Sequence, residues 1–336
     1  MAAEPERRVW QPIHPDFLDK LLPEYVAYHN EHIRYTPAAQ QVPWDPSVRV
    51  KLQAGGASEP LQVGPVRDVS LSKCAMRVWT PEGAPPADGW PVLLFFHGGG
   101  WTLGTISTGT SFCTSMCKRA NCLVFSVDYR LAPENPYPAA VEDAVEALEW
   151  VYTHGKAEFG ANVLKIAVGG GSSGGNLAAV LMHKAALVNP PIPLCFQLLL
   201  VPVVDNTASE SGEPYPSWRE NAQTPWLSVT RMMWFRKLYL PNEADWASWD
   251  NSPIYASEAL FAKAPPAWVA VMELDILRDE GIAYGEKLKK AGVPVEVKMY
   301  KRVPHQVMSM DGIVLETGRQ LVTDCVEALL KAFGSP

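Results

Sequence analysis

Lys165-Ile-Ala-Val-Gly-Gly-Gly-Ser-Ser-Gly-Gly-Asn-Leu177 joins a short apolar β-rich run, a glycine-studded turn around Ser172, and an apolar helix running from Leu177 to Ala186. Residues 170–174 read Gly-x-Ser-x-Gly between strand and helix, the context that gives the pentapeptide its meaning. So tight a turn brings the strand and helix backbones together, and the flanking positions therefore need residues without a Cβ. It would hold the Ser172 hydroxyl above the sheet, with the helix N-terminus beneath favouring developing negative charge. A phosphate loop is rejected, because no Lys-Ser/Thr pair follows the glycines.

Outward from this turn the chain alternates β-rich runs with helical stretches, the rhythm of a parallel sheet with crossover helices. Val92–Phe96, Cys122–Val127, Phe196–Val203 and Trp268–Met272 are continuous apolar runs, as expected of strands covered on both faces. Val295–Tyr300 alternates and is placed nearer an edge, while Val66–Thr80 reads as one or two antiparallel strands. Helices are expected over Ala139–Tyr152 and Asp279–Lys290, the second stopped by Gly292 and Pro294. The fold class is α/β, with a sheet mixed at one edge.

Two stretches break the rhythm. The first 50 residues contain an amphipathic pattern, Asp16–Arg34, read as a helix with Phe17, Leu18, Leu21, Leu22, Tyr25 and Val26 on or near one face. Between Val203 and Trp268 lie about 60 residues, too many for an ordinary crossover. They hold five of the 12 tryptophans within 32 positions, Trp218 to Trp249, and a helix is expected over Ser228–Leu240. Such rings either form a small core of their own or cover a cleft; the second is favoured, since functional clefts favour aromatic lining. The expected division is an N-terminal cap segment, 1–50; the first part of the core, 51–203; a cap insertion, 204–262; and the second part of the core, 263–336.

Composition narrows the function classes. With 336 residues and 47% hydrophobic content, the chain can bury a sizeable core. A formal net charge of −7 gives no global attraction for phosphate backbones, so nucleic acid is not an expected partner. Cys113, Cys117 and Cys122 cluster without a CxxC pair or a nearby histidine, and are read as buried thiols rather than metal ligands. No apolar run reaches membrane-spanning length and the N-terminus lacks a signal-peptide core, so a soluble cytoplasmic protein without a stable membrane anchor is expected.

Two further motifs carry chemistry. His97-Gly98-Gly99-Gly100-Trp101 directly follows an early strand, and consecutive glycines there can aim backbone N–H groups at an oxyanion without side-chain clash. His97 itself is read as shaping the loop. His305 follows the last strand, and Asp275 lies 30 positions earlier, after the Trp268–Met272 run. With one helix and one strand between them, both fall at carboxyl ends of adjacent strands, where open parallel sheets build their sites. Asp279 is the rival acid, but it should begin a helix and act as a cap. Glu273 should lie within the strand.

His97-Gly-Gly-Gly100, Asp128-Tyr-Arg-Leu-Ala-Pro-Glu134, Gly170-Gly-Ser-Ser-Gly-Gly-Asn176, Asp275-Ile-Leu-Arg-Asp-Glu-Gly281 and Pro304-His305, in this order, resemble the hormone-sensitive-lipase-like carboxylesterases. The resemblance spans roughly residues 65 to 335. It implies an α/β-hydrolase fold: a mostly parallel eight-stranded sheet flanked by helices, capped by the N-terminal segment and the insertion. Ser172, Asp275 and His305 follow the chain order of nucleophile, acid and base in that architecture. By the same resemblance, the oxyanion donors are the N–H groups of Gly99, Gly100 and Ser173. The chain departs from the family at Gly171, where Asp is usual, and at Gln306-Val307, where Gly-Phe is usual.

The resulting expectation is a serine carboxylesterase acting on short- to medium-chain acyl esters of small molecules, needing neither metal nor organic cofactor. Trp101, Trp218, Trp226 and Gln306 are the candidates for the substrate pocket. Other acyl hydrolases (deacetylase, lactonase, amide hydrolase) share the same three groups. A non-catalytic receptor on this fold is the alternative from another class; such relatives have typically lost the base. The edge strand Val295–Tyr300 offers a surface through which a homodimer could form.

Overall fold

Val92–Phe96 lies in the middle of an eight-stranded sheet, and its alternation explains why. Val92, Leu94 and Phe96 enter the core on one face while Leu93 and Phe95 enter the core on the other. Burying each such side chain stabilises the fold by roughly 1.5–3 kcal/mol, which makes a strand with two apolar faces a central one. The structure is a computed structural model that describes residues 7–51, 55–312 and 315–334.

The strands are β1 (Val66–Ser70), β2 (Ala75–Trp79), β3 (Trp90–Phe96), β4 (Leu123–Asp128), β5 (Ala161–Gly171), β6 (Phe196–Leu200), β7 (Ala267–Met272) and β8 (Val295–Tyr300). Their order is β1-β2-β4-β3-β5-β6-β7-β8. The β1–β2 and β2–β4 pairs are antiparallel and the remaining pairs parallel, so the mixed edge is the N-terminal one. On one face lie the helices Ala139–Phe159, Ser173–Ala185 and Arg278–Lys290; on the other, Thr110–Arg119 and Glu316–Phe333.

Register decides what can meet at the carboxyl ends. Phe96 pairs with Gly170 and Gly171 with Leu200, so the loop after β3 and the turn after β5 start side by side. Met272 pairs with Tyr300, which starts the loops bearing Asp275 and His305 from the same level. From β5 to β8 is three strand spacings, roughly 14 Å. The segment after β8 must therefore lean back over the sheet end to approach Ser172.

The expected helix over Asp16–Arg34 is instead broken into Pro15–Leu18, Pro23–Tyr28 and a π-helical turn, His29–Ile33. Pro23 is the cause: it excludes helical backbone at Leu22, which is extended at φ −63° and ψ 135°. Phe17, Leu21 and Tyr25 are nonetheless buried, joining the core beneath the sheet, whereas Leu18 is exposed. Leu22 and Val26 are half-buried, so burial follows the expected face only in part.

The excursion after β6 holds the helix Val229–Tyr239, one residue shorter at each end than expected, with Ser228 Oγ accepting from the Arg231 amide. Trp218, Phe235 and Tyr239 join the main core rather than forming a separate one. The excursion is anchored on the glycine loop after β3: Tyr239 stacks on Trp101 at 4.3 Å and 6°. No helix among the described residues is long and apolar enough to cross a membrane.

Candidate active site

β5 ends at Gly171 and the next helix starts at Ser173, leaving Ser172 alone to turn the chain, at φ 56° and ψ −116°. A non-glycine residue held there costs about 1–3 kcal/mol and must be fixed by its surroundings. Here the Ser172 amide donates to the Leu200 carbonyl at 2.8 Å, and its own carbonyl accepts from the Asn176 amide at 2.9 Å. The glycines permit the approach. A Cβ on Gly174 would lie 2.0 Å from the Phe96 carbonyl oxygen, and one on Gly170 would lie 2.3 Å from that of Gly174. Gly171 is different: a Cβ there would meet only the Met308 side chain, its ε-methyl at 2.9 Å. The room left at this position is thus filled by Met308.

In the loop after β3, Gly99 and Gly100 have φ of 128° and 61°. The Gly99 carbonyl accepts from the amides of Thr102 and Leu103, closing a turn. Among the described residues the amides of Gly99, Gly100 and Ser173 donate to no backbone carbonyl. His97 is buried under the loop, stacked on Tyr129 at 4.5 Å, with Nδ1 donating to the Gly98 carbonyl at 2.8 Å. Burial lowers its pKa to about 4, so the imidazole is neutral. These contacts fit a residue that shapes the loop.

Asp275 is fully buried in the loop after β7. Its Oδ2 lies 2.7 Å from His305 Nδ1, and its Oδ1 accepts from the Leu277 amide at 3.1 Å. Because Nδ1 faces a carboxylate, it carries the proton, and Nε2 is the basic nitrogen. His305 and Ser172 line one cavity of about 410 Å³. No hydrogen bond joins them among the described residues; in unliganded sites such contacts often tighten only with substrate. Both rival acids are engaged elsewhere. Asp279 pairs with Arg278 at 2.7 Å and, rather than capping its own helix, accepts from the Ser217 amide at 2.7 Å. Glu273, one position beyond β7, accepts from the Arg302 amide and pairs with Lys301.

The cavity wall includes Gly99, Gly100, Trp101, Trp226 and Gln306, joined by Arg231 and Phe235 of the excursion, Arg49 of the N-terminal segment and Ser58 just beyond it. Trp218 is not on it. That indole is wholly buried, with Nε1 donating to Glu280 Oε2 at 2.9 Å, and the bond draws the ring under the excursion, away from the cleft. Sequence reasoning missed the residues that hold the acid loop. Asn221 Nδ2 donates to the Glu273 and Asp275 carbonyls, Thr224 to that of Leu274, and Ser217 to that of Ile276. Their only signal was polarity between aromatic residues.

Cys113, Cys117 and Cys122 are buried free thiols. The described group whose ligand atoms come close enough for an ion is Cys74, Asp143 and Glu146. Arg130 already neutralises Asp143 at 2.7 Å, and burial pushes the Cys74 thiol up to about 12, which disfavours the thiolate a metal needs.

A family model described as alpha/beta hydrolase fold matches residues 93–309. The AB hydrolase superfamily protein C1039.03 of Schizosaccharomyces pombe is 44% identical over 335 residues, covering 96% of this chain and 97% of that protein. Esterase LipI of Mycobacterium tuberculosis is 41% identical over 239 residues, covering 71% of this chain and 72% of its own. Among solved structures, the ester-hydrolase EH1AB1 from the metagenome of Lake Arreo superposes with a TM-score of 0.83 at 30% identity, covering 94% of this chain and all (100%) of the other. A hyperthermophilic esterase from Pyrobaculum calidifontis gives 0.79 at 32% identity, covering 93% and 98%.

Proposed function

The chain belongs to the hormone-sensitive-lipase-like carboxylesterases of the α/β-hydrolase fold and is a carboxylic ester hydrolase; from that premise we propose that it cleaves short- to medium-chain acyl esters of small molecules through Ser172, His305 and Asp275. The observation that carries this reading is the 2.7 Å contact of His305 Nδ1 with Asp275, which leaves Nε2 as the base beside a cavity shared with Ser172.

In this mechanism Ser172 Oγ attacks the ester carbonyl carbon while His305 Nε2 takes its proton. The N–H groups of Gly99, Gly100 and Ser173 receive the developing oxyanion, in a segment already fixed by its turns. His305 then gives the proton to the leaving alkoxide, and the alcohol departs as the acyl-enzyme forms. Water repeats the sequence, returning the acid and free Ser172. Asp275 holds the imidazole in the required tautomer and stabilises its cationic form. No metal or organic cofactor enters a step. The N-terminal segment and residues 204–262 serve as the cap, supported by Arg49, Trp226 and Arg231 on the cavity wall.

Hydrolysis of p-nitrophenyl acetate and butyrate, together with fluorophosphonate labelling of Ser172, tests the proposal. Turnover of either ester and a label on Ser172 are expected. A folded protein that neither turns over nor takes the label is a receptor instead.

A further inference from the structure

Arg231 lies in the first turn of the helix Val229–Tyr239, on the cavity wall, and is only 5% exposed. Its Nη1 donates to the Trp226 carbonyl at 2.9 Å, and its guanidinium lies 4.5 Å from the Trp226 ring centroid and 5.7 Å from that of Phe235. Nε is buried and bonded to nothing, and Nη2 bonds no group among the described residues. No carboxylate among the described residues pairs with it. Burial lowers its pKa to about 10, so it remains a cation at neutral pH.

Arg236 likewise leaves Nε and Nη2 without a hydrogen bond, but it lies off the cavity wall, with Glu280 and Asp205 in electrostatic reach; Arg49, on the wall, pairs with Glu134. Asp311, the one carboxylate on that wall among the described residues, accepts from the Ser58 amide and hydroxyl and forms no ion pair with Arg231. An unpaired charge held away from water is costly, and such a group usually has a partner. Of the two unbonded nitrogens, Nε is closed off by its surroundings, which leaves Nη2 as the charged donor that can meet a carboxylate oxygen in the cavity.

We propose that the physiological ester carries a carboxylate, bound by Nη2 of Arg231, making this a hydrolase selective for anionic esters. The inference rests on the esterase reading above. Two sources share the chemistry: the half-ester of a dicarboxylic acid brings the charge on the acyl side, and an acylated hydroxy acid brings it on the alcohol side.

The test measures kcat/KM on two matched pairs, mono-4-nitrophenyl glutarate against its methyl ester, and 4-acetoxybenzoate against its methyl ester. The wild-type protein is expected to prefer the anionic member of at least one pair by roughly tenfold or more, chiefly through KM. The pair that shows the preference identifies which half of the substrate faces Arg231. Arg231→Gln should abolish the preference, and Arg231→Lys, which keeps the charge without the fork, should recover part of it. Equal or better turnover of the neutral member in both pairs overturns the proposal on the wild-type protein alone, whether or not a variant folds. A preference that survives in Arg231→Gln also overturns it. No turnover of any of these esters, with no fluorophosphonate label, overturns the esterase reading and this inference together.

Discussion

Asn221 Nδ2 lies 3.0 Å from the carbonyl oxygen of Asp275, so a side chain of the excursion after β6 holds the backbone of the residue that orients His305. Both groups are buried, and losing the donor would leave carbonyls unsatisfied at a cost of about 1–3 kcal/mol. In the proposed mechanism Asn221 would act through Asp275, as a positioning residue. Asn221→Ala is expected to lower kcat on p-nitrophenyl butyrate by roughly tenfold with little change in KM. A change confined to thermal stability would show that the bond is only structural.

Ser172→Ala and His305→Ala should each lower turnover by roughly 10⁴–10⁶-fold while the protein stays folded. Steady-state kinetics beside circular dichroism checks this, and a variant that keeps most of its activity refutes the assignment.

The backbone at Ser172 gives a second, opposite readout. At φ 56° a glycine sits without strain, so Ser172→Gly should abolish turnover yet hold or raise stability by up to about 1 kcal/mol. Denaturant unfolding of the two proteins decides it; a clear loss of stability would mean that the turn is not strained.

The glycines around that serine should respond unequally. Gly174→Ala drives a Cβ to 2.0 Å from the Phe96 carbonyl oxygen and should cost several kcal/mol, on the order of 4 or more, or prevent folding. Gly171→Ala meets only the end of the Met308 side chain and should cost less than about 1.5 kcal/mol. Melting temperatures of the two variants test the ranking.

His97 predicts an acid sensitivity. Its folded pKa, about 4, lies below the ordinary value of 6.5 because burial disfavours the charged ring. Between these values the unfolded chain takes up a proton that the folded one refuses, so stability is full above pH 6.5 and falls until about pH 4, by roughly 3 kcal/mol. His97→Gln should flatten that part of the stability–pH curve by one proton's worth. An unchanged slope would show that the imidazole is not held neutral.

Much of the site was legible in the chain because its requirements are local. A serine on a strand-to-helix turn needs glycine at 170 and 174, whatever lies elsewhere, and strands covered on both faces must be apolar throughout, as residues 92–96 are. Chain order then separated His305 from His97, whereas Asp275 was preferred to Asp279 and Glu273 on a helix cap and an in-strand position that the structure does not show. The apolar period over Asp16–Arg34 misled, because Pro23's local veto on helix at Leu22 outweighs it. Tertiary structure alone decided which aromatic rings meet the cavity. Trp218 and Trp226 stand eight positions apart in similar surroundings, yet a bond to Glu280, 62 residues away, draws one into the core. Nor could the sequence separate Arg231 from Arg236, since a guanidinium's role depends on whether distant carboxylates reach it. Backbone preference is written within a few residues, whereas the partner of a buried polar group is fixed only when remote segments close around it.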